Sequence, residues 1–507
     1  MNIRIYSLSS GLHAEAMSET ARDPFIREIR AALAVAIPGV SVTVAGTPDA
    51  GYGSGVSGAG ACETVSGPEV AGRGPVALDL IYIRTGGTEG AFKAAFTAPD
   101  GRLALPEVPV LLLTSGKSNS LAASMEILSF LRQQGRCGEI LHGPADYIAA
   151  RILALAEGVA GTGGVCDSLG GRAQKNGENL SGKGVFAAQA QENGENLSGG
   201  GVFAAQAQEN GENLLGRVPF DAATWKLRLQ GKRLGLVGRP SDWLIASDVD
   251  PEVARCELGL ELVDIPMTEL IAEIRKGGYV FPDKVSWPGG GPITEAFRPR
   301  FGRTLTPEAF EGAMEIYGAL CRLVERYRLD GLTLRCFDLL TEVGNTGCMA
   351  LAMLNAQGIP ASCEGDVPAL ISMLAARTFT GCSGFQANPA RIDPQTGEIL
   401  LAHCTVPLDM IRCGEYDTHF ESGIGVAVRG ELPEGAVTLF KVAPDLRQCF
   451  AVDATLVRNQ AECNLCRTQV VVKAPGTAHY FLTDSIGNHH IIVTGHHAAA
   501  FRSGVAG

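Results

Sequence analysis

The chain has 507 residues, 46% of them hydrophobic and 19% charged, with a net charge of −12 and a pI near 5.3. That length allows roughly two to four domains with cores of their own, and an acidic surface with no basic stripe excludes nucleic acid as a partner. No run of about 18 apolar residues would cross a membrane and Met1–Ser10 lacks a basic-then-apolar leader, so a cytoplasmic protein is expected, with its 14 cysteines read as reduced core thiols.

The N-terminal part alternates short β-rich runs (Ile3–Ser7, Val40–Ala45, Ala77–Ile83, Val108–Leu113) with helical stretches, the clearest being Ser120–Gln134. This alternation predicts a doubly wound α/β domain over residues 1–160. In residues 161–218 the segment beginning at Asn176 returns at Asn193 and Asn210, a period of 17. With two full copies, rich in Gly, Asn and Gln, it reads as a surface insertion or linker and not as a solenoid.

A second α/β pattern occupies residues 219–377. It comprises strands at Arg233–Val237, Glu261–Asp264 and Gly331–Phe337, and helical sequence at Glu252–Leu258, Thr306–Tyr327 and Gly347–Gln357. From 378 to 507 the pattern turns to short β-rich segments (Ile399–His403, Gly425–Arg429, Val437–Lys441, Thr468–Lys473, His490–Thr494). The expectation is two Rossmann-like parallel-sheet domains followed by an antiparallel β-barrel-like domain.

Three short motifs fail on context. The glycine pattern at Gly53–Gly58 is followed by Gly/Pro/Ser-rich sequence where a dinucleotide site needs a helix N-terminus, so no nucleotide cofactor is expected. Gly116-Lys-Ser118 lacks the first glycine of a phosphate loop, since Leu111 stands there; it is a strand-to-helix turn able to touch a small ligand. Cys463 and Cys466 form a lone CxxC without the second pair that a structural zinc site requires.

The chemistry gathers elsewhere. Leu334-Arg-Cys-Phe-Asp338 ends an apolar strand on a carboxylate, and Gly358-Ile-Pro-Ala-Ser-Cys-Glu364-Gly-Asp366 does so again. If the two strands are adjacent and parallel, Asp338 and Glu364 meet where α/β folds place ligands. Two such acids need a bridging cation or a shared proton; alternatively, Asp338 and Asp366 cap the helices that follow them. Five of the nine histidines lie between His479 and His497, among them His489 and His490. One imidazole with two carboxylates suits Mn²⁺, Co²⁺ or Mg²⁺ better than a thiolate metal, though any one of these histidines could simply be an exposed strand residue.

Glu364-Gly-Asp366, Asp338 some 26 residues earlier and Asn488-His489 together resemble the metal site of the L-fucose and L-arabinose isomerases. So do Gly238-Arg-Pro-Ser-Asp-Trp243, Leu401-Ala-His403-Cys-Thr-Val-Pro407 and His419-Phe-Glu-Ser-Gly423. The resemblance implies an intramolecular oxidoreductase: an aldose–ketose isomerase moving a proton between C1 and C2 of a free, fucose- or arabinose-like sugar through an enediolate. It implies a divalent ion, usually Mn²⁺, on Asp338, Glu364 and His489, with Asp338 preferred to nearby Glu342. Asp338 and Glu364 would be the catalytic acids, and Asp366, His403 and His490 would support the site or bind substrate. Assembly as a homotrimer or homohexamer is implied as well. The alternatives are a sugar-binding relative without turnover and an isomerase for a C6-modified sugar.

Overall fold

A computed structural model describes residues 1–8, 23–45, 64–66, 77–98, 103, 105, 109–160, 216–279 and 305–505. The glycine pattern at 53–58 and the 17-residue repeat lie outside the described residues. The first sheet is built from Asn2–Leu8 (β1), Ser41–Ala45 (β2), Thr64–Ser66 (β3), Ala77–Ile83 (β4), Val110–Thr114 (β5) and Gly138–Leu141 (β6). Its order is β3-β2-β1-β4-β5-β6, parallel except for β3. Helices Pro24–Ala36 (α1), Glu89–Phe96 (α2), Ser120–Gln133 (α3) and Ala145–Ala160 (α4) alternate with the strands. Every residue of β5 is buried, as expected of a central parallel strand covered on both faces.

After Val218–Pro219 (β7) and helix Ala222–Leu229 (α5), the second sheet consists of Arg233–Val237 (β8), Glu261–Ile265 (β9), Gly331–Leu334 (β10) and Ala361–Cys363 (β11). It is parallel throughout, in the order β11-β10-β8-β9. Its helices include Met267–Lys276 (α6), Pro307–Tyr327 (α7), Asp338–Glu342 (α8), Cys348–Ala356 (α9) and Val367–Thr380 (α10). None of the described helices is long and apolar enough to cross a membrane.

The rest of the chain forms Gly384–Asp393 (β12), Glu398–His403 (β13), Cys413–Asp417 (β14), Ala427–Glu431 (β15), Gly435–Val442 (β16), Gln448–Gln460 (β17), Thr468–Lys473 (β18) and His490–Thr494 (β19). Six of these run β16-β19-β12-β13-β18-β17, and β17 pairs back to β16, closing an antiparallel barrel. Closure leaves no unpaired edge within the ring. β14 and β15 pair apart as a hairpin, and β7 adds to β17.

The fold class matches the sequence expectation; several boundaries do not. The strand read as Gly331–Phe337 stops at Leu334, and Asp338 opens the short helix α8 instead of ending a strand. Glu252–Leu258 is mostly a π-helical turn over Ala254–Leu258. Barrel strands β12 and β17 were not among the β-rich segments. β12 contains Asn388-Pro389, a pair that normally signals a turn; here the ladder shifts register between Pro389 and Arg391, where Pro389 has no N–H to donate.

Candidate metal centre

β10 and β11 lie side by side and parallel, with Leu334 opposite Cys363. The start of β11 is pinned by Asn355, which donates to the Ala361 carbonyl at 2.8 Å and accepts from its N–H at 2.9 Å. At the far end Cys363 N–H donates to Gln386 Oε1 of β12 at 2.7 Å, tying the second sheet to the barrel. The chain then turns sharply, with Glu364 at φ 65° and Gly365 at φ 75°. A left-handed glutamate costs conformational energy and is kept only where the surroundings fix it. Gly365 is required twice over, because a Cβ there would sit 2.7 Å from Pro240 Cα and 2.8 Å from the Arg239 carbonyl. Gly365→Ala is therefore expected to cost about 1–3 kcal/mol and to displace Glu364. Thermal unfolding and metal content of the purified variant would register both effects.

Barrel register brings the imidazoles to this turn. Ala387 of β12 pairs with His490, and Asn388 pairs with Ala402. His489 and His403 thus reach the same level on opposite flanks of β12, with ring centroids 5.3 Å apart. The result is a group of Glu364, His403 and His489 whose ligand atoms all lie within 4.8 Å of one another. His489 Nε2 is 3.5 Å, and His403 Nε2 3.7 Å, from Glu364 Oε1.

Each of the three side chains is held from behind. His489 Nδ1 donates to Asp366 Oδ2 at 2.8 Å, and His403 Nδ1 pairs with Thr405 Oγ1 at 2.8 Å, which turns both Nε2 atoms toward Glu364. Trp243 Nε1 donates to Glu364 Oε2 at 2.6 Å. Asp366 is fully buried, caps α10 through the Ala369 N–H at 2.7 Å, and faces buried Lys441 at 3.7 Å. From the first sheet's side, Glu126 of α3 accepts from Ala246 N, Ser247 Oγ and the Asn488 N–H next to His489. Such partners behind a ligand fix its tautomer and direction.

The electrostatics of the group would suit a cation. Burial works against charge on Glu364, yet His489 and His403 hold its carboxyl well below the usual range. Burial likewise opposes an imidazolium at His489, but Glu364 and Asp366 outweigh it and raise the group to about 9. His489 Nε2 is buried with no hydrogen-bond partner among the described residues, an arrangement a proton satisfies poorly and a metal ion satisfies well. A raised imidazole stabilises the ion-free fold fully below its ordinary value near 6.5, and that stability fades as pH rises through about 9. An incoming cation must displace the same proton. We expect close to one proton released per divalent ion bound at pH 7, and affinity rising with pH up to about 9. Calorimetric titration in buffers of different ionisation enthalpy measures that number; zero release would contradict this charge state.

The sequence-derived residues separate here. Glu364 and His489 come together, and His403, expected only as support, joins them as the third member. Asp366 stands behind His489. Asp338 is not in the group: its side chain is 38% exposed and pairs with Arg335 at 3.0 Å, which also binds Asp242. Glu342 faces Arg275 on the surface. His490 points the opposite way from His489, as strand neighbours do. It bonds Tyr480 Oη at 2.9 Å among Phe450 and Phe481, and burial drives it down to about 3.

Glu364 opens onto a cleft whose walls include Trp243, Phe337, Asn388 and Asn488, and Glu89 and Asn119 from the first sheet's side. Asn119 belongs to the turn after Gly116-Lys-Ser118, with φ 55°. Trp243 and Phe337 pack edge to face at 4.8 Å. Glu421 completes the lining. Trp243 and Glu421 sit in segments the sequence had marked; Glu89, Asn388 and Lys441 carry no local signal.

Over 135 residues the chain is 30% identical to the sulfoquinovose isomerase of Clostridium sp. (strain MSTE9). The matched stretch covers 25% of this chain and 30% of that protein, under a third of the relative's length. No family profile matches the chain.

Proposed function

We propose that this protein is a metal-dependent aldose–ketose isomerase acting on a free, uncharged sugar. The observation carrying the reading is the convergence of Glu364, His403 and His489 at the head of a polar cleft, with the buried His489 Nε2 unsatisfied. The partial likeness to a sugar isomerase supports it. Two imidazoles and one carboxylate fit a divalent transition ion such as Mn²⁺ or Co²⁺ better than Mg²⁺, and Glu364, His403 and His489 would hold it. Such an ion supplies Lewis-acid polarisation of the carbonyl and stabilises the enediolate charge. Asp366 and Thr405 hold the two imidazoles in the ligating tautomer. Trp243 fixes the free oxygen of Glu364, and with Phe337 offers an apolar wall for the C–H face of a sugar. Asn119, Asn388 and Asn488 offer amides for its hydroxyls, and Asn388 Oδ1 has no partner among the described residues.

The relative's substrate favours a second reading, a C6-sulfonated aldose. A buried sulfonate calls for Arg or Lys, and among the described residues none lines the cleft. We therefore place the uncharged sugar first. Incubating the Mn²⁺-loaded protein with L-fucose, L-arabinose, other pentoses and hexoses, and sulfoquinovose in D₂O tests both readings by NMR. Interconversion with deuterium entering C1 or C2 of a neutral sugar is expected. Turnover of sulfoquinovose alone would select the second reading, and binding without turnover would make the protein a sugar receptor. A homo-oligomer is part of the proposal, measured by light scattering.

A further inference from the structure

The isomerase reading needs a base for the carbon-bound proton, and the residues around the metal group leave none free. Of the acids the sequence put forward, Asp338 is tied to Arg335 at 3.0 Å. Glu364 has Oε1 in the metal group and Oε2 under the Trp243 N–H. Asp366 is shut behind His489 with no exposure. Among the described residues lining the cleft, two further carboxyls remain. Glu89 is only 2% exposed, and burial pushes its carboxyl well above the usual range, which favours its protonated form over a charged base. Glu421 is different: it is exposed to the cleft. One of its oxygens is held at 2.9 Å by Asn119 Nδ2, reaching over from the turn that starts α3.

From this placement we propose that Glu421 is the base that carries the substrate's proton between C2 and C1, a role separate from the metal-holding role of Glu364. The proposal rests on the isomerase reading. The Glu421 carboxylate takes the proton from C2, and the C–H electron pair forms the C1–C2 double bond while the carbonyl pair moves onto O1. The O2 proton passes to O1, the electrons left on O2 form the new carbonyl, and the C1–C2 pair takes the proton back from Glu421 at C1. The carboxylate is regenerated and nothing is oxidised or reduced overall. Asn119 keeps one carboxylate oxygen turned, leaving the other to face the substrate. Glu421 keeps an exposed face, but the protein crowded round the cleft withholds water from its carboxyl; that first, and the nearby charge of Glu364 second, raise the Glu421 carboxyl to about 7, where a general base is most effective. Glu364 and Cys404 face it as potential charges and push upward, while the amide of Asn119 pulls downward.

The test is Glu421→Gln in the full-length, Mn²⁺-loaded protein, because glutamine keeps the shape and the acceptor for Asn119. Metal content, thermal stability and sugar affinity are expected to match wild type. Both kcat and the deuterium exchange at C2 should fall roughly 10²–10⁴-fold. The wild-type rate should rise through pH about 7, and the residual rate of the variant should lack that limb. Exchange within a few-fold of wild type in a metal-replete variant would overturn the assignment while leaving the isomerase reading intact. Loss of metal together with activity would make Glu421 a structural residue and overturn it as well. Absence of exchange in the wild type with every sugar would instead remove the isomerase reading, and the proposal with it.

Discussion

Glu364→Gln and His489→Ala are each expected to abolish tight metal binding and, with it, sugar isomerisation. Both residues present a ligand atom to the same point, and both are mostly or wholly buried, so water cannot readily replace the lost donor at the right geometry. Glutamine preserves the Trp243 hydrogen bond at Glu364 and removes the first of the two charges, with Asp366, that hold His489 up at about 9. The loss should exceed the roughly 10–100-fold typical of a partner one bond further out. Asp366→Asn provides that milder comparison, because it keeps a hydrogen bond to His489 Nδ1 but not the charge. Metal content after dialysis and a direct titration with Mn²⁺ decide the matter. Stoichiometric metal in both single variants would dismiss the assigned centre.

Lys441→Met is expected to destabilise the fold by about 3–5 kcal/mol, the usual result of breaking a buried ion pair from one side. Lys441 has no exposed surface and lies 3.7 Å from Asp366, itself fully buried. Glu126 lies within its field. Removing the ammonium leaves Asp366 balanced by His489 alone, so metal affinity should change alongside stability. The double variant Lys441→Met/Asp366→Asn should recover part of the loss, since an unpaired buried charge costs more than none. Urea unfolding midpoints of the two single variants and the double variant measure the coupling. Strict additivity would mean that Lys441 acts only through packing.

Parts of the site could be read along the chain because local chemistry marks them. Glu364-Gly-Asp366 follows a short apolar strand and precedes Val-Pro, a helix start, so a turn delivering acids was visible there. Asn488-His489 precedes an apolar strand. Local chemistry does not separate His489 from His490; the family resemblance pointed to His489, and strand alternation turns it toward Glu364 while His490 enters the aromatic cluster around Tyr480. Asp338 was misplaced because β10 ends at Leu334, four residues short of it; the turn Arg335–Phe337 hands its carboxylate to Arg335. His403 was seen but undervalued, because its level relative to His489 is set by pairing through β12, a strand whose Asn388-Pro389 reads as a turn.

By itself, then, the sequence determined the alternating α/β order, the change to β structure near residue 378 and the acid-bearing turn at Glu364, all of which follow from short-range periodicity and turn chemistry. Only the tertiary structure decided barrel closure, the pairing of His403 with His489, and the meeting of Asn119 with Glu421 across 302 residues. Those depend on register and on packing between distant segments, and one residue of register reverses which side chains face the cleft.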